Sequence, residues 1–356
     1  MKKVVFVIYS MEKAGGSERV VANIANQLSS DADLQVFIIP LYGAVSYFKI
    51  SDSVHFSPLT ADSAIGLLRR GQMLISRLNT LLPDCLVGIS IGKLNTFLAA
   101  CSVFFNFKTK LIASEHIAFA SAGKLNNIIK SIAYRKFDSI AVLTNHDLQM
   151  MKEKGFRNIH LIRNASSYFP DVFSLTPILN RAKVILAIGR LEAQKGFDLL
   201  IEAWKKVYKV HPEWTVLIVG EGSLEEDLQQ LTDHYFENSN ACKIMPFSNK
   251  IDQLYGNCQL LALSSRFEGF PMVLIESMCF GVPAVSFDCE TGPREIIKDL
   301  SNGMLVTNGD VDQMSKALSK LIADESLRSS LSSQCYKDRD DYNLDNIVGQ
   351  WKALLA

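Results

Sequence analysis

The chain has 356 residues, 48% hydrophobic and 21% charged, which fits a folded protein long enough for two domains and excludes a disordered one. Its 37 basic and 37 acidic side chains cancel, yet residues 1–170 hold 19 Lys and Arg against 11 Asp and Glu, while the remainder holds 18 against 26. The acidic second half would repel a long polyanion and no nucleic-acid motif is present, so the basic half points to phosphate or a lipid surface, unless it is merely a solvated face.

Residues 4–9 (VVFVIY) are a continuous apolar run suited to a buried parallel strand; the run is short and lacks a small-residue cleavage site, so a strand is expected there and not a leader. Ala14-Gly15-Gly16-Ser17 follows and opens a helix over 18–28, a phosphate-tolerant loop. It is not GxGxxG, which leaves dinucleotide binding a minor alternative. Further strands are expected at 34–39, 85–91, 110–114 and 139–143 with helical segments between them, the alternation of a doubly wound α/β domain.

Residues 65–82 (IGLLRRGQMLISRLNTLL) read as an amphipathic helix with Arg69, Arg70 and Arg77 and no acid. Arg70 and Arg77 stand two turns apart on one face, spaced to hold anionic groups of an acceptor or a membrane along a line. Basic and apolar residues also mix at 103–110 and 124–136; these are either membrane-surface contacts or core residues with solvated lysines beside them. The longest nearly uncharged run, 94–107, is too short to span a bilayer. Seven scattered cysteines without CxxC suggest reduced thiols in the cytoplasm and no zinc. Ser114-Glu115-His116 ends a strand, where ligands bind in open α/β sheets, so His116 is either a ligand-facing or a structural histidine.

Residues 164–180 lose periodicity and collect Ser, Pro and Asn, marking a linker. The second domain restarts with a strand at 183–188, then Gly189-Arg190 and Gln194-Lys195-Gly196 before a helix at 197–208. The strand 215–219 runs into Gly220-Glu221-Gly222, and an amphipathic helix with Trp351 closes the sequence at 345–355. The expected division is 1–170, 171–340 and a terminal helix within 341–356. The organising stretch is 264–287: a loop out of the strand 259–263, a helix starting at Pro271 and stopping at Gly281, then a strand at 284–287. The amide groups of Met272, Val273 and Leu274 at that helix start favour an anion, and Arg190 with Lys195 would complete a diphosphate clamp. Glu268 and Glu276 bracket the site; carboxylates accept hydrogen bonds from hydroxyls such as those of sugars, although acids near a helix start are also ordinary dipole chemistry.

These residues resemble the family 4 retaining glycosyltransferases, among them the bacterial enzymes of polysaccharide and glycan assembly. The matching pieces are GGSERV at 15–20, SEH at 114–116, GRLEAQKGFDLLIEAW at 189–204, VGEGSLEEDL at 219–228, SSRFEGFPMVLIESMCFGVP at 264–283, TGPREII at 291–297 and NGMLV at 302–306. The resemblance implies a GT-B fold, two doubly wound Rossmann-like domains facing each other across a cleft, with the acceptor on the first domain, the donor on the second and the terminal helix crossing back. It implies that Arg190 and Lys195 hold the donor diphosphate, that Glu276 binds the ribose and that Glu268 orients the hexose. Gly16 would lie near the diphosphate, Val273 and Leu274 would offer amides, Gly269 and Phe270 would line the donor and His116 would approach the sugar's C6 side. It further implies a nucleotide sugar, taken as UDP-linked, as co-substrate, no metal or other cofactor, and a polyprenyl-diphosphate-linked acceptor met peripherally at the inner face of the cell membrane. A soluble acceptor, or a non-catalytic sugar-nucleotide-binding protein on the same fold, are the alternatives.

Overall fold

The computed structural model of the chain describes residues 1–13, 15–90, 93–116, 124–236, 240–248 and 250–356; Ala14 and Ile91, named above, lie outside them. The chain divides into one unit formed by Met1–Ser167 with Leu344–Ala356 and another formed by Tyr168–Asn343.

The first unit runs β1 (Lys2–Ser10), α1 (Gly16–Leu28), β2 (Leu34–Tyr42), β3 (His55–Phe56), α2 (Leu67–Leu81), β4 (Cys85–Ser90), α3 (Leu94–Cys101), β5 (Lys110–Glu115), α4 (Lys124–Tyr134), β6 (Ser139–Val142), α5 (Asn145–Glu153) and β7 (Ile159–Leu161). Its seven strands are parallel in the order β3-β2-β1-β4-β5-β6-β7. Val4 to Val7 are fully buried because helices pack on both faces of the sheet, which is why β1 reads as one apolar run and not as an alternation. The order reverses between β1 and β4, and the loops leaving those two strands flank the reversal.

Helix α2 corrects one expectation. Arg70, Leu74 and Leu78 form the stripe of α2 that packs inward, and Arg70 is fully buried. Its Nε donates to the Ile65 carbonyl at 3.0 Å, NH1 to Leu41 at 2.6 Å and NH2 to Asp62 at 2.6 Å, while the guanidinium lies 3.8 Å from the Tyr42 ring centre. Arg70 therefore fastens the entry of α2 to the end of β2 and does not present itself to an acceptor or a membrane. Arg77 is half-buried and donates to Ser57 Oγ; Arg69 is exposed, with NH1 3.2 Å from Gln72 Oε1.

The second unit runs β8 (Val184–Ile188), α6 (Phe197–Tyr208), β9 (Thr215–Val219), α7 (Glu225–Tyr235), β10 (Cys242–Met245), α8 (Ile251–Asn257), β11 (Leu260–Leu263), α9 (Met272–Cys279), β12 (Ala284–Asp288), α10 (Pro293–Ile296), β13 (Gly303–Thr307), α11 (Val311–Ala323) and α12 (Glu325–Asp338). Six parallel strands lie in the order β10-β9-β8-β11-β12-β13. Helices α6, α7 and α11 share one core with the sheet, in which Trp204 is fully buried and its Nε1 donates to the Ala241 carbonyl at 2.7 Å. Helix α9 packs against α12.

The last helix, α13 (Leu344–Leu355), belongs to the first unit and packs on α1. Trp351 meets Phe6 edge-on at 6.2 Å, Lys352 pairs with Asp31 at 2.6 Å and Lys2 donates to the Leu355 carbonyl. All seven cysteines are buried and none forms a disulfide. Among the described residues no helix is long and apolar enough to cross a membrane.

Candidate active site

Strands β8 and β11 are neighbours, but the chain leaves them toward opposite edges of the sheet, so the loops at their carboxyl ends diverge around a crevice. Two glycines let the loops there approach closely. A β-carbon on Gly220 would stand 1.8 Å from the Gly189 carbonyl oxygen; Gly196, with φ of 61°, would bring one within 2.2 Å of the Ser264 carbonyl oxygen. The loop after β8 is then sewn to the loop after β11. Ser264 Oγ donates to the Lys195 carbonyl at 2.9 Å, the Arg266 amide to the Gln194 carbonyl at 2.8 Å, and Gln194 Nε2 to the Phe267 carbonyl at 3.0 Å.

On this frame Lys195 Nζ lies 2.7 Å from Glu268 Oε1, and Ser265 Oγ donates to the same oxygen at 2.6 Å. Thr291 Oγ1 donates to the Glu268 carbonyl at 2.6 Å, and the Cys289 thiol to the Ser265 carbonyl at 3.0 Å. Burial above all, with the Glu268 charge adding to it, pushes Cys289 up to about 12, so it acts as a neutral donor. Arg190 is exposed on the same loop as Lys195 and donates to Gln194 Oε1 at 3.0 Å. Sequence reasoning placed the two cations together and left their carboxylate, hydroxyl and amide partners unassigned. A serine three residues before Glu268 was the one local signal of that hydroxyl.

Helix α9 begins at Met272 with Pro271 as its cap, a residue with no side-chain acceptor, and Gly281, at φ 66°, follows its end as expected. One amide is corrected: Leu274 N–H is turned to the Pro271 carbonyl at 3.1 Å, so Met272 and Val273 are the amides that open the helix. Glu276, in the second turn, is buried, and its Oε2 accepts from Tyr255 OH at 3.0 Å. Tyr255 stacks on Phe280 at 5.5 Å and was not foreseen, because nothing local links α8 to an acid twenty-one residues on. Gly269 is half-buried, and Phe270 is buried and tilted against Tyr342 at 6.3 Å.

In the first unit Gly16 opens α1 at the carboxyl end of β1, beside the β1/β4 reversal, with Gly15 as an uncapped N-cap. His116 follows β5; its amide donates to the Ser90 carbonyl at 2.8 Å and its Nε2 lies 3.1 Å from Ser114 Oγ. Burial lowers its pKa to about 4, so the ring is neutral at pH 7. Next to it, Glu115 is buried with Lys130 and Tyr134 both donating to its carboxylate and Asn95 Nδ2 at 3.2 Å. Burial raises the Glu115 carboxyl against the pull of Lys130.

Among the described residues no group of three or more His, Cys, Asp or Glu is arranged to hold a metal ion. The three D-x-D triplets, at 31–33, 310–312 and 338–340, serve structure: Asp31 pairs with Lys352, Asp312 with Lys206 and Asp338 with Lys298 at 2.9 Å.

Two parallel doubly wound units of this kind make the GT-B fold of glycosyltransferases. HepE of Anabaena, solved in complex with UDP, superposes with a TM-score of 0.82 at 20% identity, covering 100% of this chain and 99% of that one. The profile of the family "Glycosyl transferases group 1" matches residues 174–338. The amylovoran biosynthesis glycosyltransferase AmsD of Erwinia amylovora is 30% identical over 364 residues, covering 100% of both chains. A Campylobacter jejuni protein described as the GalNAc-alpha-(1->4)-GalNAc-alpha-(1->3)-diNAcBac-PP-undecaprenol alpha-1,4-N-acetyl-D-galactosaminyltransferase is 27% identical over 365 residues, covering 100% of this chain and 99% of its own. The chain belongs to the glycosyl transferases group 1 family.

Proposed function

We propose that this chain is a family 4 retaining transferase that moves a hexose or N-acetylhexosamine from a nucleotide sugar, UDP-linked, to a polyprenyl-diphosphate-linked sugar during glycan or polysaccharide repeat-unit assembly at the inner face of the membrane. The observation that carries it is the Lys195–Glu268 pair at the β8/β11 crevice, next to the uncapped start of α9. A cation paired with an acid at such a crevice can exchange that acid for a diphosphate, and the amides of Met272 and Val273 add to the same attraction. The relatives above, one named for a polyprenol-diphosphate-linked acceptor and one solved with UDP, support the acceptor and the base.

In this reading Arg190 and Lys195 neutralise the departing diphosphate and supply most of the transition-state stabilisation without a metal. Glu268, released from Lys195, orients the hexose, Glu276 binds the ribose hydroxyls, and neutral His116 hydrogen-bonds the C6 side. The acceptor hydroxyl attacks the anomeric carbon on the face the nucleotide leaves. Its proton passes to the departing phosphate oxygen as the old C–O bond breaks and the new one forms, so configuration is retained. The test is a thermal-shift series with UDP, GDP, ADP and their sugars, in EDTA and in Mg2+, on the wild type and on Arg190→Ala with Lys195→Ala. A shift by UDP compounds in EDTA that the double variant loses is expected. No shift by any nucleotide at millimolar concentration would overturn the donor site.

A further inference from the structure

Helices α2, α3 and α4 cover one face of the first sheet, with α3 packed between the other two, and Asn79 of α2 donates to the Phe104 carbonyl just beyond α3 at 3.4 Å. Helix α4 is built inside out. Its Lys130 is 3% exposed and paired with Glu115, and its Tyr134 is buried, whereas Ile128 is 59% and Ile132 65% exposed. A helix that turns its cation inward and its isoleucines outward gains nothing in water from that arrangement. Phe104, just beyond α3, is 68% exposed, and Leu68 at the start of α2 is 89% exposed. Exposed basic side chains stand among these apolar ones: Arg69 on α2, Lys108 before β5, and Arg135 and Lys136 beyond α4. Between residues 65 and 137 the sequence has ten Lys and Arg and two acids. Of those two, Glu115 is buried and Asp84 accepts from the Lys3 amide at 2.7 Å.

We infer that this face is a docking surface for an anionic lipid bilayer, with Ile128, Ile132, Phe104 and Leu68 entering the interface and the four cations meeting lipid phosphates. An apolar medium is what the exposed isoleucines lack, and an anionic one is what the unopposed cations select; a bilayer with acidic headgroups offers both in one plane. The cations that meet lipid are thus not those that the helical spacing of α2 singled out: Arg70 is spent on carbonyls, and the charge comes from Arg69 and from the segments around β5 and α4. The purpose of the surface, holding the enzyme where a lipid-linked acceptor lies, rests on the function proposed above; its existence does not.

The experiment is co-sedimentation of the whole chain with phosphatidylcholine vesicles, with and without phosphatidylglycerol. Wild type is compared with Phe104→Ser/Ile128→Ser/Ile132→Ser and with Lys108→Gln/Arg135→Gln/Lys136→Gln, and transfer to a water-soluble, short-chain acceptor is assayed in parallel. Wild type is expected to bind the anionic vesicles and to release as salt rises. The apolar variant should bind about tenfold more weakly or worse. The charge variant should lose about fivefold per cation at low salt. Melting points should stay near wild type, because every substituted side chain is exposed. Wild type that ignores anionic vesicles, variants that bind as wild type does, or a lipid-free dimer that the apolar variant abolishes would each overturn the surface. Transfer to the soluble acceptor reports on the function separately: its absence in a vesicle-binding wild type sinks the functional reading and leaves the surface standing.

Discussion

Each unit sets a lysine against a glutamate at the carboxyl edge of its sheet, and the two pairs differ in what surrounds them. Lys130 and Glu115 are 4% and 2% exposed, and Tyr134 and Asn95 also bind the carboxylate. Lys195 and Glu268 are 16% and 8% exposed, and Ser265 Oγ holds the carboxylate and Thr291 Oγ1 the Glu268 carbonyl while the ammonium stands at the crevice. A pair enclosed by its own unit stays closed, so it ties α4 to the end of β5, next to His116. A pair left open on the cation's side can trade one anion for another. The same two residue types thus make a brace in one unit and a site in the other, and accessibility decides which.

The largest effect should come from breaking the enclosed pair. Lys130→Ala strands a buried carboxylate and is expected to cost about 3–5 kcal/mol in urea unfolding, whereas Glu115→Leu with Lys130→Met should recover most of that loss. If the double variant transfers sugar poorly at normal stability, the pair is more than a brace. Lys195→Ala should reverse the pattern, lowering kcat by about a hundredfold to a thousandfold while disturbing the melt far less than Lys130→Ala. Equal destabilisation by the two alanines would end the distinction. Tyr255→Phe removes one hydrogen bond to Glu276, and about 1 kcal/mol of it should appear as a several-fold higher KM for the nucleotide sugar with kcat nearly constant. The smallest effect concerns pH. His116 has a folded pKa of about 4, below its unfolded value, so the unfolded chain binds more protons between about pH 6.5 and 4 and stability drains away as pH falls through that window. His116→Asn should flatten this part of the profile, read as melting temperature against pH; an unchanged slope would mean that the ring is not held neutral by its enclosure.

Much of this was legible before any coordinates. Runs such as VVFVIY and TVLIV announce strands buried on both faces, and glycines at 196 and 281 mark turns that the backbone indeed takes in the left-handed region. The spacing of Arg190, Lys195, Glu268 and Glu276 carried the second-unit site. What periodicity does not disclose is which stripe of a helix faces the sheet. Arg70 lies with Leu74 and Leu78 on the inward stripe of α2, since its three donors find carbonyls there. In α4 the apolar stripe is the outward one, because Glu115 draws Lys130 in. The partners of Glu268 and Glu276 were invisible for a related reason: Thr291 and Tyr255 arrive from segments more than twenty residues away, and only the packing of the strands brings them close. β3, two residues long, is too short for alternation to register.

Helix α13 follows the whole of Tyr168–Asn343 in the chain, yet it lies on α1 and closes Trp351 over Phe6. During synthesis the second unit therefore leaves the ribosome complete while the first still lacks a wall, and the first unit must wait, with Phe6 uncovered on that side, until the later one has been made. Chaperone dependence should accordingly be greatest for nascent chains halted near residue 343, and it should fall once the final helix emerges.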